Sequence, residues 1–309
     1  MLWIKNKLKK NLFIYLILKF LYVKIYLNLK EKVRNYIILN LNRKKNNFFK
    51  ANPKEKGDTI LFGKTFFFPK RSLQYKKFLE NFKNDKIFNE YNILKKNFFD
   101  IKSIDCVLDV GANIGYQALF YKNFFNSNTE ILCFEPHPIS YYFLNENLGQ
   151  YKNIKLYNFA LGDKESKEII SVPKHESHRL TNLGIASIAK GKTNHLKEEV
   201  QVKKFDDLDV LKSEYKSIFI KIDVEGYEKQ VLIGMNNFFK KKINTFLQIE
   251  INKNYQSFNE LNLIIDYLSD LNFTFFIIDK NKLTQLNKKE EILKLCLFQN
   301  NEVYCKKTT

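Results

Sequence analysis

Residues 107–115 read Val-Leu-Asp-Val-Gly-Ala-Asn-Ile-Gly: an apolar strand, a carboxylate near its tip (Asp109), and a turn bracketed by Gly111 and Gly115. Glycines at those places remove side chains where backbone must approach a ligand and where the next helix must pack on its strand. A second carboxylate, Glu135, closes the apolar run 131–134, at a downstream distance from which an acid can accept hydrogen bonds from both ribose hydroxyls of a nucleoside. Nicotinamide and flavin sites favour G-x-G-x-x-G with a pyrophosphate on the helix N-terminus. Here position 113 is Asn, one of the few residues that still adopts a positive φ. Two acids and few phosphate donors favour a cationic nucleoside over a dinucleotide. A βαβ turn that binds nothing is the plainer alternative.

A second constellation follows about a hundred residues later. Residues 218–228, Ile-Phe-Ile-Lys-Ile-Asp-Val-Glu-Gly-Tyr-Glu, form another apolar strand whose exit is crowded with charge. Ligands of open α/β sheets gather at such carboxyl ends. Asp223 and Glu225, on a turn opened by Gly226, could bind substrate hydroxyls, accept a proton, or hold a divalent ion through oxygen ligands. Glu225 and Glu228 could instead serve only the dipole of a helix running to about Phe239, but that leaves Lys221 and Asp223 unexplained. A third strand, 246–252, carries Glu250 near its end.

The motifs D-V-G-A-N-I-G, F-E-P, A-L-G-D, F-D-D-L and I-K-I-D-V-E-G-Y-E, in this order and spacing, resemble the FkbM family of S-adenosylmethionine-dependent methyltransferases. The resemblance runs from about Thr59 to Glu250. It implies a Rossmann-like class I methyltransferase fold, S-adenosylmethionine as cofactor, and O-methylation of a sugar hydroxyl in a glycan or glycosylated metabolite. By matching positions, Asp109, Gly111, Asn113, Gly115 and Glu135 line the cofactor site. Asp163 falls where related enzymes contact the adenine, although Gly162 and Asp163 could equally form a hairpin turn. Residues 182–187 resemble a family loop near the substrate, so Asn182 and Ser187 join Lys221, His137, His175 and His178 as candidate substrate-binding residues. Asp223, Glu225 and Glu250 are the candidate catalytic carboxylates. A sugar hydroxyl must lose its proton to a carboxylate or imidazole, or have its pKa lowered by a divalent ion. We favour a carboxylate-centred site without a tightly bound metal, with Asp223 and Glu250 as the alternative ion site.

The elements that must position these residues alternate. Strands are expected near 104–110, 129–135, 154–159, 198–204, 217–223, 244–251 and 272–279, and a last one near 302–306. Helices are expected near 114–125, 138–148, 227–240 and 256–270. Such alternation predicts an α/β domain over 101–309, with a mostly parallel seven-stranded sheet and helices on both faces. Ahead of it, 56–100 read as a small hairpin between Thr59 and Pro69 followed by a helix over 73–99. The stretch 173–197 holds three of the four histidines and is the longest irregular segment of the domain.

Composition bounds the rest. The chain has 309 residues, 45% hydrophobic and 28% charged, with a net charge of +19. Residues 1–100 hold 24 Lys and Arg against 7 Asp and Glu, while 101–309 hold 28 against 26. The catalytic domain is therefore nearly neutral, which argues against nucleic acid as partner, as does the missing N/D-P-P-Y/F motif. Residues 1–55 form a basic, aromatic, helical N-terminal extension. Lys19 and Lys24 interrupt its apolar stretch before it reaches a spanning length, and no small-residue cleavage site follows. An anionic membrane surface is a candidate partner for it, and packing on the enzyme or a second subunit is the alternative. Cys106, Cys133, Cys296 and Cys305 form no C-x-x-C and read as core thiols of a reducing compartment, which places the chain in the cytoplasm, peripheral at the inner membrane face if the extension binds lipid. A nucleic-acid methyltransferase, or a non-catalytic membrane-associated protein that keeps the fold, would be the alternatives.

Overall fold

The computed structural model describes residues 56–69, 86–173, 186–188, 195–251, 253–254, 256–298 and 302–309. The chain passes through β1 (Lys56–Leu61), β2 (Lys64–Pro69), α1 (Lys86–Asn97), β3 (Cys106–Val110), α2 (Tyr116–Phe124), β4 (Glu130–Phe134), α3 (Pro138–Leu148) and β5 (Ile154–Tyr157). It continues through β6 (Ala160–Gly162), β7 (Ser166–Pro173), β8 (His195–Lys204), β9 (Ser217–Ile222), α4 (Glu228–Gly234), α5 (Asn236–Phe239) and β10 (Asn244–Glu250). The last elements are α6 (Phe258–Asp270), β11 (Thr274–Asp279), β12 (Lys282–Leu286), α7 (Lys289–Phe298) and β13 (Glu302–Lys307).

Every residue of β3, β4 and β9 is buried, so these strands read as continuous apolar runs, the mark of a parallel sheet covered on both faces. Alternate side chains go to opposite layers. Leu108, Val110, Ile220, Ile222, Leu247 and Ile249 pack with α4 to α7, whereas Val107, Ile131, Cys133 and Phe219 pack with α1 to α3 and the β1–β2 hairpin.

The sheet has eight strands rather than seven, in the order β12-β11-β13-β10-β9-β3-β4-β5. Five are mutually parallel, while β13 runs antiparallel to β10, β11 to β13, and β12 to β11. The mixed side arises because β13 inserts antiparallel between β10 and β11, and because β12 folds back on β11 through the two-residue turn Lys280-Asn281, with φ of 46° and 62° at its two residues. That is the geometry of a two-residue hairpin turn, and without glycine the sequence hides it. The expected strand over 198–204 also leaves the main sheet. It becomes β8, the centre of a three-stranded sheet ordered β6-β8-β7. Residues 163–165 form the bend that carries the chain from one side of β8 to the other, so Gly162 and Asp163 do not close a hairpin. The helix expected over 227–240 is broken into α4 and α5 at Met235, and α7 was not anticipated.

The chain leaves β3 towards β5 and then crosses back to β9 on the opposite side of β3. A crevice opens at such a reversal, outside the carboxyl ends of the two strands. Both motif turns lie there. The N-terminal extension lies outside the described residues, as do residues 73–85 of the expected helix. No helix among the described residues is long and apolar enough to cross a membrane.

Candidate active site

The glycine turn is built by backbone. Gly111 and Ala112 donate their N–H groups to the Phe134 carbonyl at 2.9 and 3.1 Å, binding the turn to the end of β4. Three residues in it lie in the left-handed region: Gly111 at φ 88°, Asn113 at 53° and Gly115 at 87°. Asn113 therefore does what a middle glycine would do. Its N–H donates to Oε2 of Glu135 at 2.8 Å, and the His137 N–H donates to Oε1 at the same distance. Burial pushes the Glu135 carboxyl up to about 7 against those two bonds. Each of its oxygens keeps a further lone pair for a hydroxyl donor.

The second turn is folded around an acid that sequence reasoning left as a helix-dipole partner. Glu228 is buried, and its Oε1 accepts from the N–H groups of Val224 at 3.2 Å and Gly226 at 3.1 Å. Its Oε2 accepts from Gln256, and burial raises the carboxyl to about 7. The turn so held puts Glu225 at φ 56°, strained for a residue with a side chain. From the other side, the Ser187 hydroxyl donates to the Glu225 carbonyl at 2.6 Å. Ser187 is itself fixed to Ser171 of β7 by two backbone hydrogen bonds of 2.8 and 3.0 Å.

The two turns touch. A Cβ on Gly111 would lie 2.0 Å from the Asp223 carbonyl oxygen, so only glycine allows this approach, and the Asp223 N–H donates back to Val110 at 3.0 Å. Beneath them a row of polar side chains crosses the sheet in register, Asp109 opposite Lys221, Lys221 opposite Gln248, and Gln248 opposite Tyr304. The Lys221 ammonium is buried and 2.6 Å from Oδ2 of Asp223. Burial works against its charge, and Asp223, Tyr116 and Asp109 more than offset it, so the ammonium is held well above its usual range. Burial raises Asp109 to about 6, with Lys221 opposing and Asp223 adding to the rise. Glu250, at the end of β10, is raised to about 8 by burial first, then by Asp223 and Glu225, with Lys221 opposing.

Asp109, Asp223, Lys221, Glu225 and Glu250 thus act on one another, and Asp109 and Asp223 also act on Glu135. Asp163 is half-buried in its bend, where its charge acts on Tyr227. His137 is buried and caps α3, its Nδ1 facing the Ser140 N–H at 3.5 Å, and burial lowers it to about 4. That fixes His137 as a neutral imidazole at the start of α3. Ser187 holds the acidic turn by its backbone. His175, His178 and Asn182 lie outside the described residues.

Sequence reasoning missed Glu228 as the organiser of the turn, Asn147, and the polar layer behind Lys221. In that layer Tyr91 of α1 bonds Gln248, and Tyr91 and Tyr121 share a hydrogen bond of 2.8 Å. Gln248 and Tyr304 also reach Glu90 and Glu302. The available signal was a polar residue at every such position of an otherwise apolar strand.

The donor set fits a cationic nucleoside. Asp109 is 1% exposed, and its Oδ2 has no hydrogen-bond partner among the described residues. Glu135 stands over a turn whose backbone is open to close approach. Among the described residues no group of three His, Cys, Asp or Glu side chains is arranged to hold a metal ion.

The family described as the methyltransferase FkbM domain matches residues 109–275. Among solved structures, the chain is similar to a methyltransferase FkbM from Methylobacillus flagellatus KT, 15% identical over 68% of this chain and 46% of that one, with a TM-score of 0.42. It is similar to a precorrin-6y C5,15-methyltransferase from Geobacter metallireducens GS-15, 13% identical over 71% of this chain and 87% of that one, at 0.36. It is also similar to fibrillarin from Aeropyrum pernix with bound S-adenosyl-L-methionine, 9% identical over 83% and 84%, at 0.40. The chain spans less than half the length of the first of these. No curated protein matches its sequence.

Proposed function

This chain belongs to the methyltransferase FkbM domain family, and from that premise we propose that it transfers a methyl group from S-adenosylmethionine to a sugar hydroxyl of a glycan or glycosylated metabolite. The observation that carries the reading is the contact of Gly111 with the Asp223 carbonyl, which joins the nucleoside-binding turn to the acid-lined turn. A donor held at the first turn and an acceptor at the second would meet within one crevice. Holding two reactants in that geometry supplies much of the acceleration such a transfer needs.

When bound, S-adenosylmethionine supplies a methyl group on a positively charged sulfur. Glu135 accepts hydrogen bonds from the ribose, and the carboxylates nearby favour the positive charge. Gly111, Asn113 and Gly115 allow the backbone to approach. On the acceptor side, Asp223 and Glu225 accept hydrogen bonds from sugar hydroxyls, and the buried Lys221 ammonium, 2.6 Å from Oδ2 of Asp223, aims that side chain. Glu250, raised to about 8, would take the hydroxyl proton in its ionised form, the fraction of which grows as pH rises through that value. The four cysteines are free and buried, in keeping with a cytoplasmic enzyme. Residues 1–55 would bring it to an anionic membrane surface, where lipid-linked sugars are within reach.

Calorimetry with S-adenosylmethionine, followed by incubation with labelled cofactor and extracts of glycans and lipid-linked sugars, tests the proposal. Mass spectrometry should find the label on a sugar oxygen. Label in RNA or DNA would overturn the acceptor class. Turnover that persists in EDTA supports the metal-free site, and complete, magnesium-reversible loss would transfer Asp223 and Glu250 to an ion.

A further inference from the structure

The cofactor turn is held from a side that lies outside the family match. Asn147, near the end of α3, is 4% exposed, and its amide is shared between two other elements. Nδ2 donates to the Ile114 carbonyl of the glycine turn at 2.8 Å and to the Phe67 carbonyl of β2 at 2.9 Å. Oδ1 accepts from the Phe67 N–H at 2.7 Å. One side chain thus pairs with Phe67 through both its backbone groups, as a neighbouring strand would, and passes that constraint to Ile114. Ile114 sits between the two left-handed residues Asn113 and Gly115, and the Asn113 N–H is the one bound to Glu135.

The hairpin that supplies Phe67 is anchored independently. Leu61, Phe66 and Phe68 are buried in the same cluster as Ile114, Leu144 and Leu148. Lys56 pairs with Glu146 and lies 5.0 Å from the ring centre of Phe67 and 5.7 Å from that of Tyr142. Neither partner of Asn147 can move away without leaving a buried polar group unpaired. Hairpin docking and the shape of the turn are therefore one equilibrium.

We propose that the β1–β2 hairpin is a brace for the cofactor turn, and that Asn147 is the positioning residue through which it raises affinity for S-adenosylmethionine. This rests on the cofactor reading above. If a docked hairpin favours the ligand, the ligand must favour the docked hairpin by the same factor.

The full-length chain is titrated with S-adenosylmethionine in a calorimeter as wild type, Asn147→Asp and Phe66→Leu. Asn147→Asp keeps the acceptor for the Phe67 N–H but loses both Nδ2 donors, and affinity should fall about tenfold. Phe66→Leu loosens the hairpin core while leaving the amide in place, so its affinity should fall too, by less than in Asn147→Asp, because a less firmly docked hairpin braces the turn less. In wild type, hydrogen exchange at residues 64–69 should slow when the cofactor is added, a readout that needs no variant to fold. Wild-type affinity in Asn147→Asp, wild-type affinity in Phe66→Leu although its exchange at 64–69 is faster, or exchange in 64–69 indifferent to the ligand overturns the brace. Wild type that binds no S-adenosylmethionine is a different result, which removes the cofactor reading and the brace together.

Discussion

The two halves of the crevice are stabilised by different means. At the tips of β3 and β4 the chain is fixed by backbone: N–H groups of Gly111 and Ala112 close on Phe134, and Glu135 is held by two more from Asn113 and His137. At the tips of β9 and β10 it is the side chains that interact, with the Lys221 ammonium paired to Asp223 and the charges of Asp223, Glu225 and Lys221 acting on Glu250. The first half is a preorganised mould for a ligand of known shape. The second holds like charges near one another, and Asp223 and Glu225 add to the burial that lifts Glu250 to about 8. On the proposed reading, recognition and reactivity sit at the tips of neighbouring strands, β3 and β9.

Gly111→Ala tests whether the halves are independent, and it should have the largest effect. The added Cβ falls on backbone, so the turn or β9 must shift. We expect loss of measurable S-adenosylmethionine binding in calorimetry and a lower melting temperature. Intact binding would mean that the two turns are not coupled. Glu250→Gln should leave cofactor affinity unchanged and reduce kcat about a hundredfold or more with the labelled acceptor. The wild-type rate should rise with pH through about 8, and the variant should lose that limb. A wild-type rate flat across that range would move the base elsewhere.

Glu135→Gln should do the reverse, weakening the cofactor by about tenfold or more through loss of a charged acceptor. It also carries a stability signature. The folded-state carboxyl is raised from 4.5 to about 7, so Glu135 favours the fold while protonated, and that contribution is lost as pH rises through this interval. Melting temperature of the cofactor-free protein should fall between about pH 4.5 and 7, less steeply in Glu135→Gln. Equal slopes would place the buried strain in the acceptor half, at Glu228 or Glu250.

The first half was largely legible in the sequence, because its rules are local. Glycine spacing, an Asn that tolerates positive φ, and an acid one strand later are constraints that neighbouring residues impose on each other. Asp109, Asn113 and Glu135 came together as their spacing implied. The second half was legible only in its outline. Lys221, Asp223 and Glu225 share a motif, but Glu228 was hidden because its partners are backbone N–H groups that leave no trace in residue type. The capping of α3 by His137 was not legible, since capping depends on where the helix begins. The edge strand β12 was missed for a similar reason, as Lys280-Asn281 carries no glycine to advertise its turn. Asn147 could not have been found from spacing at all, for its partners lie in β2 and in the glycine turn.

Because Gly111 rests on a carbonyl made about a hundred residues later, the order of synthesis matters. A nascent chain that has not yet reached β9 carries the turn without its wall. It also leaves one side of β3 as a bare row of unpaired backbone groups, since β9 is the strand that covers it. Such an edge is a template for any passing strand. Fragments that stop before Ser217 should therefore associate rather than bind nucleoside, and the cell must bring β9 home before the cofactor has anywhere to land.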